Sequence, residues 1–430
     1  MKEKIKIGYI GLGRRGYAVM NGCIANMADV EVVAVCDILD KRIERMKKLL
    51  ADKGRPEPFA THDYKDILKM EDIDAVFIMT PWNSRIKMAI DSMNAGKYTA
   101  IEVGCAFDIS ECYELVEAHE KTGVPVMMLE NCCYGRFEMA ALRMVKEGLF
   151  GEIVHCDGSY CHYLPTADFF VKIDGEVETE HYRLREYQER ALENYPTHEL
   201  GPICKCLNIN KGNRLLTLTS FGSKARGLET FMKDHPEIVG ENHPLANKPF
   251  KQPDILKTII TCADGTTIHL TLDTSLPLAY YSRDFTVRGT KGMCKESGSG
   301  KRTYFLEGME EGKVFDNQLE MYEKYDHPLH EEFNRLGPAG GHGGIDWLVC
   351  RAFIESVKNG TNTPIDAYDT ATLLAIGPLS EMSLAQGSQP VSIPDFTRGR
   401  WFRRENELHE GKYSLDKIVC DPDTPIFIKD

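Results

Sequence analysis

The segment NYPTHELGP, Asn194 to Pro202, crowds a tyrosine, a histidine, a glutamate and two prolines together. It can form a rigid turn leading into a helix. It can also hold still an imidazole that takes up and returns a proton within one catalytic cycle, because histidine titrates near neutrality. His198 is therefore the first candidate for acid–base chemistry. A second group lies in IVHCDGSYCHYL (153–164). Side chains alternate along a strand, so Tyr160 and His162 share a face with Val154 and Cys156. A polar pair ending an apolar face predicts a sheet whose far end opens on a cleft. His155 and His162 are an odd number of residues apart and face opposite sides, which argues against a metal site on His155, Asp157 and His162. The fourteen cysteines include no CxxC pair. Cys132 and Cys133 are adjacent, and Cys204 and Cys206 are one residue apart. No metal and no disulfide framework are expected, and the thiols read as reduced.

A third set of residues has the spacing of a nucleotide site. Gly11, Gly13 and Gly16 form G-x-G-x-x-G between a strand, KIKIGYIG, and a helix. The first glycine permits a tight turn, the second lets backbone approach a pyrophosphate, and the third packs helix on strand. With Leu12, Arg14 and Arg15 the turn presents a helix N-terminus to phosphate. Asp37 follows Gly16 by twenty-one residues, at the end of the second strand. It suits the ribose hydroxyls of NAD and repels the extra phosphate of NADP, a preference that Arg14 and Arg15 could offset. Later strands end at Thr80-Pro81-Trp82-Asn83, at Glu102-Val103 and at Glu130-Asn131. Ligands of open parallel sheets lie beyond the carboxyl ends of the strands. Thr80, Trp82, Asn83, Arg85, Glu102, Val103 and Asn131 are thus expected to line the NAD crevice.

Two kinds of framework must position these groups. Up to residue 132, strands (KIKIGYIG, VEVVAVCD, AVFIMT, YTAIEV, VPVMMLEN) alternate with helical patterns. That predicts an α/β Rossmann domain with a parallel, doubly wound sheet. Residues 133–430 predict an α+β domain for substrate binding and oligomerisation. It has a helix at FEMAALRMVKEGLFGEI, an open, mostly antiparallel sheet (IVHCDGSYCHYL, LLTLTSFGS, ILKTIITCA, TTIHLTLDT, SRDFTVRGT, RTYFLE) and helices at ICKCLNIN, IDWLVCRAFIESVKNG and ATLLAIGPLSEMSLAQG. Residues 165–194 read as a charged lid or surface loop, and the tail after Trp401 as polar. The net charge of −13 speaks against nucleic acid and anionic membrane as partners. No apolar run approaches ~18 residues. MKEKIKIGYIG enters a strand directly, without a signal pattern. A cytoplasmic protein is expected.

The combination resembles the glucose–fructose oxidoreductase and inositol dehydrogenase superfamily. Within it, TPWN (80–83), MMLEN (127–131), GSYCHYL (158–164), NYPTHELGP (194–202), YSR (281–283), GHGGIDW (341–347) and IPDFT (393–397) are similar to one branch, the NAD-dependent glycoside hydrolases of family 109. The similarity spans roughly residues 5 to 400. Oxidoreductases of the superfamily commonly read Glu-Lys-Pro after the fourth strand, the lysine assisting proton removal from an alcohol. This chain reads Glu102-Val103-Gly104. Glu199 after the histidine, and Tyr163-Leu164-Pro165 after His162, depart from the family pattern.

The resemblance implies a redox-neutral hydrolysis, known in the family for α-N-acetylgalactosaminides. Hydride leaves C3 of the sugar for NAD, the C2 proton becomes acidic, the C1 oxygen is eliminated, water adds, and the hydride returns. His198 is assigned the C3 hydroxyl proton in place of the missing lysine, and Tyr160 the C2 proton with His162 beside it. Glu130 would protonate or orient near the leaving group. Arg183, Tyr195 and Tyr281 would hold the sugar. The resemblance also implies a homo-oligomer. Two other readings stay open here: an NAD-dependent sugar or polyol dehydrogenase (or a 3-keto-glycoside-forming oxidoreductase), and a non-catalytic NAD-binding sensor.

Overall fold

A computed structural model describes residues 4–173, 176–177, 181–240, 242–337 and 340–421. The first part of the chain runs β1 (Ile5–Ile10), α1 (Arg14–Gly22), β2 (Val30–Cys36), α2 (Asp40–Asp52), β3 (Phe59–Thr61), α3 (Tyr64–Leu68), β4 (Ala75–Ile78), α4 (Trp82–Asn94), β5 (Tyr98–Ile101), α5 (Ile109–Thr122) and β6 (Val126–Met128). All pairings are parallel and the strand order is β3-β2-β1-β4-β5-β6. The central strands are apolar and buried, as a sheet covered on both faces requires. The sequence pattern predicts five strands, and the sixth is β3. It is only three residues long and partly exposed, so it carries no buried run to detect. α4 begins at Trp82, four residues before its apolar pattern. Pro81 supplies the turn into it, and Trp82 and Arg85 share one buried face at i, i+3.

The rest of the chain runs α6 (Arg136–Lys146), β7 (Ile153–Cys161), β8 (Lys172–Ile173), β9 (Glu176–Val177), α7 (Tyr182–Glu189), α8 (Thr197–Cys206), β10 (Leu215–Gly222), α9 (Gly227–Asp234), α10 (Pro236–Val239), β11 (Ile255–Cys262), β12 (Thr267–Asp273), β13 (Thr286–Gly289), β14 (Gly292–Ser297), β15 (Lys301–Leu306), α11 (Gln318–Tyr325), α12 (Pro328–Leu336), α13 (Ile345–Asn359), α14 (Ala367–Ala385) and β16 (Val391–Ser392). The large sheet is ordered β15-β14-β13-β7-β12-β11-β10-β16 and is antiparallel except where β7 pairs with β12. α6, α8 and α14 cover one face, towards which β11 points Leu256, Ile260 and Cys262. The other face is open, and Phe221 and Ile259 are exposed on it. Within 165–194 the described part is less irregular than expected. α7 buries Leu184 and Tyr187, while 174–175 and 178–180 lie outside the described residues.

The tail is not the inert polar segment its composition suggests. It returns to the body of the protein, where Leu415 and Tyr413 are buried. The Tyr413 carbonyl accepts from the Tyr134 hydroxyl at 2.9 Å. A buried ionic knot forms under α8. Lys205 Nζ meets Asp369 at 2.6 Å, Lys211 Nζ meets Asp416 at 2.7 Å, and Arg404 Nη2 meets Asp366 at 2.6 Å. Asp366 also caps α14, in a box with Asp369. Arg404 and Asp366 are both fully buried, so deleting Arg404 leaves the carboxylate in low dielectric with Lys211, at 3.5 Å, as its remaining cation. Arg404→Ala is expected to lower stability by about 3 kcal/mol in denaturant unfolding, the range for breaking a buried pair from one side.

Candidate active site

The carboxyl ends of the parallel strands meet the start of α8 and the end of β7, and the candidate residues gather there. The glycine turn has the shape of a dinucleotide cradle. Gly11 has φ +92°, and a Cβ there would lie 2.7 Å from the Met79 carbonyl carbon. A Cβ on Gly16 would lie 2.2 Å from the Gly11 oxygen. At Gly13 the nearest atom to a Cβ is the Arg42 guanidinium at 3.8 Å, so that side is open for a ligand. α1 starts directly after Gly13, with no side chain capping its N–H groups. Asp37 accepts from the Leu12 amide at 2.8 Å and the Leu39 amide at 3.1 Å. It braces the turn and keeps further acceptor capacity for hydroxyls. The buried indole Nε1 of Trp82 has no partner. These features fit NAD.

The two arginines of the turn are already committed. Arg14 donates to Asp168 at 2.9 Å. Arg15 donates to Glu102 at 2.5 Å and through both terminal nitrogens to Asp346 at 2.8 and 2.9 Å. Neither is left to attract a 2′-phosphate. Arg85 is buried and binds the backbone carbonyls of Thr80, Glu102 and Val103, tying two strand ends together. Glu102 also accepts from the Val103 amide at 3.1 Å. Asn131 donates to Asp346 at 2.6 Å, and Asn83 is exposed at the rim.

The acid–base candidates converge as well. α8 begins at Thr197, six residues before the apolar run ICKCLNIN, and carries His198 in its first turn. His198 Nδ1 lies 2.8 and 3.0 Å from the two oxygens of Glu130. Glu130 is 0% exposed and also accepts from the Cys132 amide at 2.9 Å. Burial by itself raises its carboxyl, but the charge and hydrogen bond of His198 outweigh this and hold it below its usual range. An ionised Glu130 fixes the proton on Nδ1 and leaves Nε2 as the available base. Opposite stands Tyr160, whose hydroxyl is 3.1 Å from His162 Nδ1. Burial raises the Tyr160 phenol. Burial and the Arg183 charge lower His162, so the imidazole is neutral and can accept. The Tyr160 ring is 4.4 Å from Tyr195, 5.7 Å from His198 and 6.3 Å from Tyr281. Arg183 lies over Tyr195 at 4.6 Å and over Trp82 at 5.4 Å. His198, Tyr160, His162, Glu130, Arg183, Tyr195 and Tyr281 therefore form one cluster. Within it Glu130 lies behind the imidazole, away from the cleft surface.

Asp346, Asp168 and Glu193 were not singled out from sequence, and Glu199 was noted only as a departure from the family pattern. Asp346 gathers Arg15, Asn131 and His342, the last at 2.8 Å. Its i, i+4 spacing from His342 within GHGGID was the available signal. Asp168 had none. Glu193 and Glu199, flanking the tyrosine–histidine stretch, are both 0% exposed and their carboxyl oxygens have no hydrogen-bond partner. Burial pushes Glu193 up to about 8. Burial and the neighbouring Glu193 push Glu199 well above its usual range. Among the described residues one group, Glu130, Cys132 and His198, brings possible metal donors within 4.8 Å of one another. The direct Glu130–His198 hydrogen bond fills the space between two of them.

The family model for the glycosyl hydrolase 109 C-terminal domain matches residues 134–403. That for the oxidoreductase family, NAD-binding Rossmann fold, matches residues 5–130. An alpha-N-acetylgalactosaminidase of Tannerella forsythia is 38% identical over 93% of this chain and 88% of its own length. The chain belongs to glycosyl hydrolase family 109. A family 109 protein of Parabacteroides distasonis is 36% identical over 94% of this chain and 89% of its own. Among solved structures, levoglucosan dehydrogenase in complex with NADH and L-sorbose has TM-score 0.67 at 16% identity, over 92% of this chain and all of that one. Apo scyllo-inositol dehydrogenase from Lactobacillus casei has TM-score 0.62 at 17% identity, covering 91% of this chain and 99% of that one. These two show the fold. This family 109 member is an NAD-dependent glycosidase on an oxidoreductase framework.

Two measurements follow from this geometry. Asp37→Ala should raise NADP affinity relative to NAD by roughly tenfold in fluorescence titrations; equal affinity of the natural protein for both cofactors would contradict the role. Glu193 titrates near 8 folded against 4.5 as a free side chain. The folded state therefore holds the proton longer, and stability falls as pH rises through that window. Glu193→Gln is expected to raise the melting temperature at pH 7.5 by about 2 °C or more, and far less at pH 5.

Proposed function

We propose that this enzyme cleaves α-N-acetylgalactosaminides by redox-neutral elimination and water addition on a sugar transiently oxidised at C3. The observation that carries the reading is the convergence of two acid–base pairs, Glu130–His198 and His162–Tyr160, with the Tyr160 and His198 rings 5.7 Å apart. Bound NAD supplies the hydride acceptor and returns the hydride at the end of the cycle.

His198 Nε2 removes the C3 hydroxyl proton as the hydride departs. Glu130 is a positioning residue: it keeps the tautomer and stabilises the imidazolium that forms. With a carbonyl at C3, the C2 hydrogen becomes acidic. Tyr160 oxygen takes it as the tyrosine's own hydroxyl proton passes to the neutral His162 at 3.1 Å; burial holds the phenol up, so the two transfers occur together rather than through a free phenolate. The C1–oxygen bond breaks as the C1–C2 double bond forms, and the departing oxygen takes up the proton that His162 received. Water then adds at C1 and gives its proton to His162, C2 regains its proton from Tyr160 as His162 reprotonates the phenol, and His198 gives its proton back to the C3 oxygen. Deprotonation at C2 is independent of configuration at C1, so both anomers fit, unlike a site built on two carboxylates at fixed separation. Arg183, Tyr195 and Tyr281 hold the sugar. Thr80, Trp82, Asn83, Glu102, Val103 and Asn131 line the NAD side with the glycine turn.

The division at residues 132 and 133 belongs to the same proposal. It is supported by the end of the parallel sheet at Met128 and the start of α6 at Arg136. A homo-oligomer is proposed through the open sheet face, supported by outward Phe221 and Ile259. No described helix is long and apolar enough to cross a membrane. A cytoplasmic location is supported by fourteen unpaired cysteines.

His198→Ala should keep fold and NAD binding, lose turnover by roughly 10²–10⁴-fold, and fail to reduce bound NAD⁺ when sugar is added. Tyr160→Phe should still permit hydride transfer but block C2 hydrogen exchange with deuterated water. Product released without any C2 exchange would sink the elimination cycle. Stoichiometric NADH release would mark a dehydrogenase instead.

A further inference from the structure

Asp168 has no part in the chemistry above, yet it touches both halves of the site. It lies in the short turn Pro165–Phe169, which follows the end of β7. Its Oδ1 accepts from Arg14 Nη1 at 2.9 Å, and the carbonyl of its neighbour Ala167 accepts from Arg14 Nη2 at 3.0 Å. Arg14 is the first residue of α1, immediately after the glycine that opens towards the dinucleotide. On its other side, Asp168 Oδ2 is 3.4 Å from Arg183 Nη1 and 3.5 Å from His181 Nε2. Arg183 lies over Tyr195 and Trp82. One carboxylate therefore joins residues 154 apart in sequence and spans the mouth between the cofactor turn and the sugar wall. Burial favours its neutral form, but His181, Arg183 and Arg14 outweigh that and keep it ionised.

We propose that Asp168 is a positioning residue that latches the 165–169 turn onto the dinucleotide turn and slows the release of NAD. Opening the crevice requires the Arg14 contacts to part, and these are two charge-assisted hydrogen bonds. A cofactor restored to its starting state in each cycle has no need to leave, so slow release costs no turnover. That advantage rests on the redox-neutral reading, whereas the latch itself does not.

The test is the rate at which NADH leaves the purified enzyme. The enzyme is loaded with NADH, chased with excess NAD⁺, and followed by NADH fluorescence without any sugar. Asp168→Asn and Arg14→Met should each speed release roughly tenfold, the scale for losing a charged hydrogen bond. The double variant should release no faster than the faster single one, because both remove the same interaction. Raising salt to about 1 M should speed release from the natural enzyme and leave the variants nearly unchanged. Unchanged release in both single variants, or additive acceleration in the double one, overturns the latch. Apo melting temperatures identify a folding defect. If Asp168→Asn does not fold, Arg14→Met, altering a side chain nearly half exposed at the helix start, decides the question together with the salt series. Normal hydrolysis with unchanged NADH release would remove the latch alone. Fast release in the variants without C2 exchange in any enzyme would remove the mechanism and leave the latch standing.

Discussion

The hydrogen bond between His198 and a fully buried Glu130 is the constraint around which the site is arranged. The two groups come from different frameworks, Glu130 from the end of β6 and His198 from the first turn of α8. Their bond fixes where one framework sits against the other. It also explains residues with no chemistry of their own. A Cβ on Gly201 would lie 2.8 Å from Glu130 Cγ, and one on Gly158 would lie 2.5 Å from Glu199 Cβ. The glycine of the LGP triplet is there to let α8 approach the carboxylate. The glycine of GSYCHYL lets β7 approach the same helix. With both contacts made, Tyr160 faces His198 at ring distance.

The second organising feature is the disposal of charge. Glu102 ends the fourth long strand but has no lysine beside it; its cation is Arg15, brought from the glycine turn. Asp346 holds the other face of that guanidinium and also Asn131 and His342. Burial raises Asp346, but Arg15 and His342 outweigh this and keep it ionised. The ionic chain leaves both turn arginines engaged, so the cation nearest the acid at Asp37 is Arg42, 3.6 Å away. Glu193 and Glu199 run against this pattern. They are buried acids without hydrogen-bond partners, and they remain neutral because low dielectric disfavours their charge.

A hydrolase built on an oxidoreductase framework is physically coherent here. The difficult step belongs to the cofactor, so the protein needs proton-transfer groups rather than a strong nucleophile or paired carboxylates. On the proposed mechanism, two histidines held in opposite settings meet that need. One has its Nδ1 proton fixed by a carboxylate, and the other is kept neutral by burial and a nearby guanidinium.

Much of this was determined by sequence alone because it rests on local periodicity. Strand–helix alternation, the glycine spacing and the acid at the end of β2 follow from backbone geometry over short distances, as does the shared face of Tyr160 and His162. The motif stretches also brought six of the seven acid–base and sugar-facing candidates to notice, Arg183 lying outside them. Local pattern does not encode long-range pairing. The three-residue edge strand β3 left no buried run, and the polar tail gave no hint that Arg404 and Tyr413 would become core. Asp346 and Asp168 looked like ordinary surface acids until folding set arginines against them from 331 and 154 residues away. Glu130 could be placed at the site by its strand end, but its position behind the imidazole depends on how α8 packs on β7. Sequence fixed which groups are available; only tertiary packing decided which proton each could reach, because burial and a partner's distance set the charge a side chain carries.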